Sequence, residues 1–128
     1  ELDYIDLSFN KIEILDSGIF EYNTKLKYLD LKNNYVKTFI EHNIINRHLN
    51  ILILGHNLLN YDALKWLNGL KILNLDLNNN QHLDYLNIRK FNSILFLNLS
   101  HCGFTNLTYD DFNSRVGYRL LSVDFSFN

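Results

Sequence analysis

The chain has 128 residues, a formal net charge of −2, 47% hydrophobic and 20% charged residues, so it can bury a sizeable core and is too apolar for disorder. That charge gives no long-range pull toward nucleic acid or an anionic membrane, and no run approaches the roughly 20 apolar residues of a membrane span. The one cysteine, Cys102, excludes an internal disulfide framework and a cysteine-based metal cage.

Asparagine is the outlier, with 20 copies and no proline, and many copies fall at fixed intervals. The first unit opens with Leu2, Ile5, Leu7 and Asn10, followed by Ile12, Leu15 and Phe20. The second repeats the spacing as Leu26, Leu29, Leu31 and Asn34, then Val36, Phe39 and Ile44. The third reads Leu49, Leu52, Leu54 and Asn57, with Leu59 and Leu67 kept and Asp62 between them. Within it, residues 62–69 read as a short helix with Asp62 as N-cap and Gly69 as stop. The fourth reads Leu70, Leu73, Leu75 and Asn78, then Asn80, Leu83 and Ile88. The fifth gives Ile94, Leu97, Leu99 and Cys102, then Phe104, Leu107 and Phe112. The sixth gives Leu120, Val123, Phe125 and Asn128. These starts, at about 2, 26, 49, 70, 94 and 120, lie 21 to 26 residues apart.

The alternation in each Leu-x-Leu is the period of a half-buried strand. Each unit therefore predicts one short strand, and successive strands stack in parallel about 4.8 Å apart. The closing Asn sits at a sharp bend, where its amide donates to and accepts from backbone groups leaving the strand. Asn10, Asn34, Asn57, Asn78 and Asn128 form that structural ladder, with Cys102 as a small, weak donor in the same slot. Leucines of neighbouring units share one core, so no unit is stable alone. The expectation is an α/β repeat solenoid: a horseshoe with a parallel β-sheet on the concave face and irregular or short helical segments on the convex face. Residues 1–128 read as a single segment without capping units, an internal fragment that leaves Leu2, Ile5, Leu7, Val123 and Phe125 facing water.

A pattern of this spelling and length is the leucine-rich repeat. The 24-residue units with their phenylalanine, and the stretches Leu-Ser-Phe-Asn (7–10), Leu-Asp-Ser-Gly-Ile-Phe (15–20) and Leu-Lys-Tyr-Leu-Asp-Leu-Lys-Asn-Asn (26–34), resemble Toll and Toll-like receptor ectodomains and the chaoptin type of adhesion protein. The resemblance implies a solenoid ectodomain of innate-immune or adhesion type that binds ligands or partner chains, often dimerising.

Side chains beside the strand leucines face the concave side. One column reads Tyr4, Tyr28, Ile51, Ile72, Phe96 and Ser122, an apolar stripe that suggests a contact surface. The competing reading is that aromatic and β-branched residues simply suit strands. The next column reads Asp6, Asp30, Ile53, Asn74, Asn98 and Asp124, with Lys32 on the same face. The adjacent Asp6 and Asp30 could do acid–base work or hold a cation, but Leu-Asp-Leu is an ordinary spelling of this strand and no cleft encloses the pair. His56 and His101 stand two strands apart, about 9.6 Å, too far to share a zinc ion. No metal, cofactor or nucleophile–base pair is expected: Ser100 and His101 are sequence neighbours whose side chains point apart. The glycines are isolated, so no phosphate loop exists.

Two sequons occur, Asn98-Leu-Ser100 and Asn106-Leu-Thr108, but 20 asparagines and 11 Ser or Thr in this length make about 1.7 by chance. Function therefore rests on the repeat: a non-catalytic module that recognises a protein or other macromolecule on its concave face. One form is a receptor or adhesion ectodomain, extracellular at the plasma membrane or secreted. The other is an intracellular, cytoplasmic scaffold or adaptor, which the asparagine-, isoleucine-, lysine- and tyrosine-rich composition and the single cysteine permit.

Overall fold

A computed structural model describes residues 2–40, 47–67, 70–83, 93–108 and 119–128. Six three-residue strands form one parallel sheet: β1 (Tyr4–Asp6), β3 (Tyr28–Asp30), β5 (Ile51–Ile53), β6 (Asn74–Asp76), β7 (Phe96–Asn98) and β8 (Ser122–Asp124). They pair strictly in chain order without slippage along the strand direction. Each repeat thus adds one strand and returns, the geometry of a solenoid.

The register places Leu29, Leu52, Leu75 and Leu97 side by side. All four are buried, as are Leu31, Leu54, Leu77 and Leu99 beyond them. Leu26, Leu49, Ile72 and Ile94 close the core ahead of the strands, and Val36, Leu59, Leu83 and Phe104 close it behind. Leu2 is 56% exposed and Val123 38%, whereas Ile5, Leu7 and Phe125 still pack partly against the core.

This register moves the fourth repeat two residues along the chain. Leu75 pairs with Leu52, so the unit begins at Ile72 and reads Ile72, Leu75, Leu77 and Asn80. The sequence Leu70-Lys-Ile-Leu-Asn-Leu-Asp-Leu-Asn-Asn-Asn80 satisfies the motif in either frame, because a two-residue shift keeps every side chain on the same face of a strand. The start at 70 is therefore corrected to 72. Ile72 leaves the predicted stripe and enters the core, 3% exposed.

The return side contains a feature absent from the expected pattern. β2 (Ile14–Asp16) and β4 (Thr38–Ile40) form a second, two-stranded parallel sheet, with Leu15 and Phe39 pointing into the core. Its continuation is a 3-10 helix at Ser17–Phe20, capped by Asp16, whose side chain accepts from the Gly18 N–H. The third repeat carries a 3-10 helix at Asp62–Leu67 instead. Its cap is Asn60, which accepts from the Ala63 N–H at 3.0 Å, not Asp62. Asp62 lies in the first turn and pairs with Lys65 at 2.8 Å. Leu107 was expected in the core and is 49% exposed. The expected core residues Ile44, Ile88 and Phe112, and the helix stop Gly69, lie outside the described residues.

Candidate functional site

The ladder is built from side-chain amides that each serve two repeats. Asn57 donates to the carbonyls of Leu31 at 2.9 Å and Leu54 at 3.0 Å, and accepts from the Val36 N–H at 2.9 Å. Asn34 does the same with Leu7, Leu31 and Ile12. In the fourth repeat this work falls to Asn80, which donates to Leu54 and Leu77 and accepts from Leu59. Asn78 is therefore not the ladder residue. Its Oδ1 is buried without a hydrogen-bond partner and lies over Gly55, where any Cβ would collide with it. Asn10, in the first repeat, donates only within its own turn. Asn128 donates to Leu99 and Phe125, and accepts from Cys102 and Phe104.

Cys102 fills the slot incompletely. Its thiol contacts the Leu77 carbonyl at 3.2 Å, and burial pushes its pKa upward. A thiol offers no amide oxygen to accept from the following turn, and in that turn the Leu83 N–H bonds the Asn80 carbonyl of its own repeat. The residue just before each ladder position holds a left-handed backbone: Phe9, Asn33, His56, Asn79, His101 and Phe127, with φ between 53 and 58°. That turn lifts a column of side chains beside the sheet, where His101 stacks on Phe127 at 4.6 Å and Asn79 meets His56 at 3.3 Å.

The carboxylate column is explained by the same turn. Asp6, Asp30, Asp76, Asn98 and Asp124 each accept from the backbone N–H two residues on, at 2.8 to 3.0 Å. Asp6 and Asp30 thus hold turns on an open sheet, and no cleft encloses them. Asn74, expected in this column, lies one column over, in register with Ile51 and Phe96, and Asp76 takes its place between Ile53 and Asn98.

With the register corrected, the outward face divides in two. Across the first three repeats, Tyr4, Tyr28 and Ile51 form a continuous apolar patch. The two tyrosine rings stack at 4.4 Å and 13°, and the Tyr28 hydroxyl reaches the Asp30 carboxylate at 3.4 Å. Partial burial, then the charge of Asp30, raises the Tyr28 pKa. Asn74 interrupts the apolar line. Beyond it lies a shallow depression of about 210 Å³ on repeats four to six, bordered by Ile53, Asn74, Asp76, Phe96, Asn98 and Asp124.

Charges segregate on this face. Its three outward columns run from Tyr4, Asp6 and Ser8 in the first repeat to Ser122, Asp124 and Ser126 in the last. They carry four carboxylates, Asp6, Asp30, Asp76 and Asp124, against the single cation Lys32. That is a net −3 on the face against −2 for the whole chain, so the rest of the chain is net positive. No group of three or more His, Cys, Asp or Glu among the described residues could hold a metal ion. His56 and His101 stand with Asn79 between them, and His42 lies outside the described residues.

The two sequons differ. Asn98 is locked in its turn, accepting from both the Ser100 N–H at 3.0 Å and the Ser100 hydroxyl at 2.8 Å, with Ser100 buried. Asn106 is exposed on the return segment of the fifth repeat.

A family model for the leucine-rich repeat matches residues 1–59. The fold is a leucine-rich-repeat solenoid. The match covers the two complete repeats at the start and the strand and ladder residues of the third; the same strand register continues through the sixth, and the amide ladder with it except at Cys102. No curated protein matches the chain. Leucine-rich repeats are in general non-enzymatic protein-interaction modules. No helix among the described residues is long and apolar enough to cross a membrane.

Proposed function

We propose that this leucine-rich-repeat segment is a non-catalytic protein-recognition module that engages its partner on the concave face of the six-stranded sheet. The observation that carries the reading is the partly exposed Tyr4–Tyr28–Ile51 patch beside a depression bordered by Asp76, Asn98 and Asp124. An apolar patch rimmed by polar groups is the composition of a contact surface. Side chains on rigid, mutually registered strands also lose little freedom on binding.

The segment belongs, on this proposal, to the ectodomain of a receptor or adhesion protein, on the extracellular side of the plasma membrane or secreted. The 24-residue, phenylalanine-containing units and their resemblance to Toll-like and chaoptin-type repeats support this placement. Two measurements test the two parts. Alanine at Tyr28 or Phe96 is expected to weaken partner capture by tenfold or more, while Lys65→Ala on the convex helix leaves it unchanged. Equal losses from both faces would overturn the concave assignment. For the compartment, an N-glycan on Asn106 of the natural protein is expected in the mass spectrum. An unmodified Asn106 in a protein recovered from the cytosol would replace the ectodomain with an intracellular scaffold.

A further inference from the structure

Each carboxylate of the depression uses one oxygen in its own turn. Asp76 Oδ1 accepts from the Asn78 N–H at 3.0 Å and Asp124 Oδ1 from the Ser126 N–H at 2.8 Å. Nothing among the described residues hydrogen-bonds or ion-pairs with the second oxygen of Asp76, whereas the Asp124 carboxylate, fully exposed, also accepts from the Ser126 side chain. Asp76 and Asp124 stand in one column with Asn98 between them, two strand spacings or about 9.6 Å apart at the backbone. Phe96, 44% exposed, borders the same depression. The outward columns of repeats four to six contain no lysine or arginine, the single cation of the face being Lys32 in repeat two. Lys32 and His56 act on Asp76 only through space, against the burial that raises its pKa.

We propose that the depression on repeats four to six docks an arginine side chain of a partner protein, its guanidinium over Asn98 between the Asp76 and Asp124 carboxylates and its flat face on the Phe96 ring. The proposal rests on the concave-face reading above and names the chemistry that one part of that face selects. The charge of the site chooses a cation. Two carboxylate oxygens on opposite sides choose a donor with N–H groups on more than one edge, which the planar guanidinium has and the compact lysine ammonium lacks. An aromatic border favours a flat, weakly hydrated cation. A guanidinium held there would neutralise the half-buried Asp76 charge, which has no ion-pair partner among the described residues, and the amide oxygens of Asn74 and Asn98 supply further acceptors.

The test uses the full 128-residue chain, labelled for NMR, and capped five-residue peptides with glycine on either side of one variable residue. Arginine is expected to give saturable shifts confined to residues of β6, β7 and β8. The citrulline peptide, which keeps the shape and loses the charge, should bind at least tenfold more weakly, and the lysine peptide severalfold more weakly. D76N and D124N should each weaken the arginine peptide about tenfold and leave the amide spectrum native, because an asparagine in this column holds the same turn, as Asn98 does. Tyr28→Ala should leave arginine affinity unchanged. Citrulline binding equal to arginine, shifts mapping to other repeats, or full affinity in the D76N/D124N double variant would each overturn the proposal. Should it fall while Tyr28→Ala still weakens partner capture, the concave-face reading stands without it; loss of both effects removes both.

Discussion

Asp76 holds the same place in its repeat as Asp6 and Asp124 and titrates in the opposite sense. Asp6 and Asp124 are exposed, and the hydrogen bonds from Ser8 and Ser126 lower their pKa values. Asp76 has Asn78 where they have serine, and burial is the largest influence on it, so its pKa is raised. A raised folded-state pKa means the fold prefers the neutral acid. Its contribution is fully present below the unfolded pKa, near 3.9, and is lost as pH rises through the higher folded value. Asp76→Asn removes this titration and keeps the amide oxygen that accepts from the Asn78 N–H. The variant is expected to match the wild type at pH 3 and to exceed it at pH 7, read from urea midpoints at both pH values. The contributions of Asp6 and Asp124 are common to both proteins and cancel in the difference. A variant less stable than wild type at pH 7 would show that the hydrogen bond to the charged carboxylate outweighs its burial.

At the scale of the repeat, the strand motif was legible in the sequence and the frame of one unit was not. Leu-x-Leu alternation identifies a strand and its buried face, but sliding it by two residues changes neither. Three consecutive asparagines, Asn78, Asn79 and Asn80, then offered a ladder residue to both frames. One signal could have decided between them: Leu75-Asp76-Leu77 matches Leu29-Asp30-Leu31 and Ile5-Asp6-Leu7, and that aspartate must sit where it can close the turn. The frame has measurable consequences. Asn80→Ala strands the Leu59 N–H and the Leu54 and Leu77 carbonyls in the core, which costs about 1–3 kcal/mol for a buried unsatisfied group. Asn57→Ala should cost a similar amount for the same reason. Asn78→Ala instead deletes an oxygen that has no partner and should stay within about 0.5 kcal/mol of wild type. Chemical denaturation of the three variants checks the assignment, and equal losses at positions 78 and 80 would restore the earlier frame. The short parallel pair β2–β4 was not legible either, because Ile14–Asp16 and Thr38–Ile40 become strands only when stacked on one another, a contact 24 residues apart in sequence.

Across the whole molecule, the repeats are held by a core with no internal boundary. Leu54 is fully buried, between Leu31 of the preceding repeat and Leu77 of the following one, and the backbone ladder ties it to both through Leu31 N–H to the Ile53 carbonyl and Leu54 N–H to the Asp76 carbonyl. Stability in such a stack is a sum of weak units and strong neighbour contacts, so a central unit cannot melt without removing support on both sides. The proposed binding face depends on this continuity. The apolar patch lies on β1, β3 and β5, the acidic depression on β6, β7 and β8, and their relative placement is fixed only by the strand register that joins them. Leu54→Ala is expected to cost about 2–5 kcal/mol as a cavity in a packed core. It should lower the urea midpoint of one shared transition, followed separately by amide signals of β1 and β3 and by amide signals of β7 and β8. Two separated transitions, with the Tyr4–Tyr28 end and the Phe96 end unfolding at different urea concentrations, would show that the two halves of the face sit on independent units. A partner contacting both halves would then have to order one against the other as it binds.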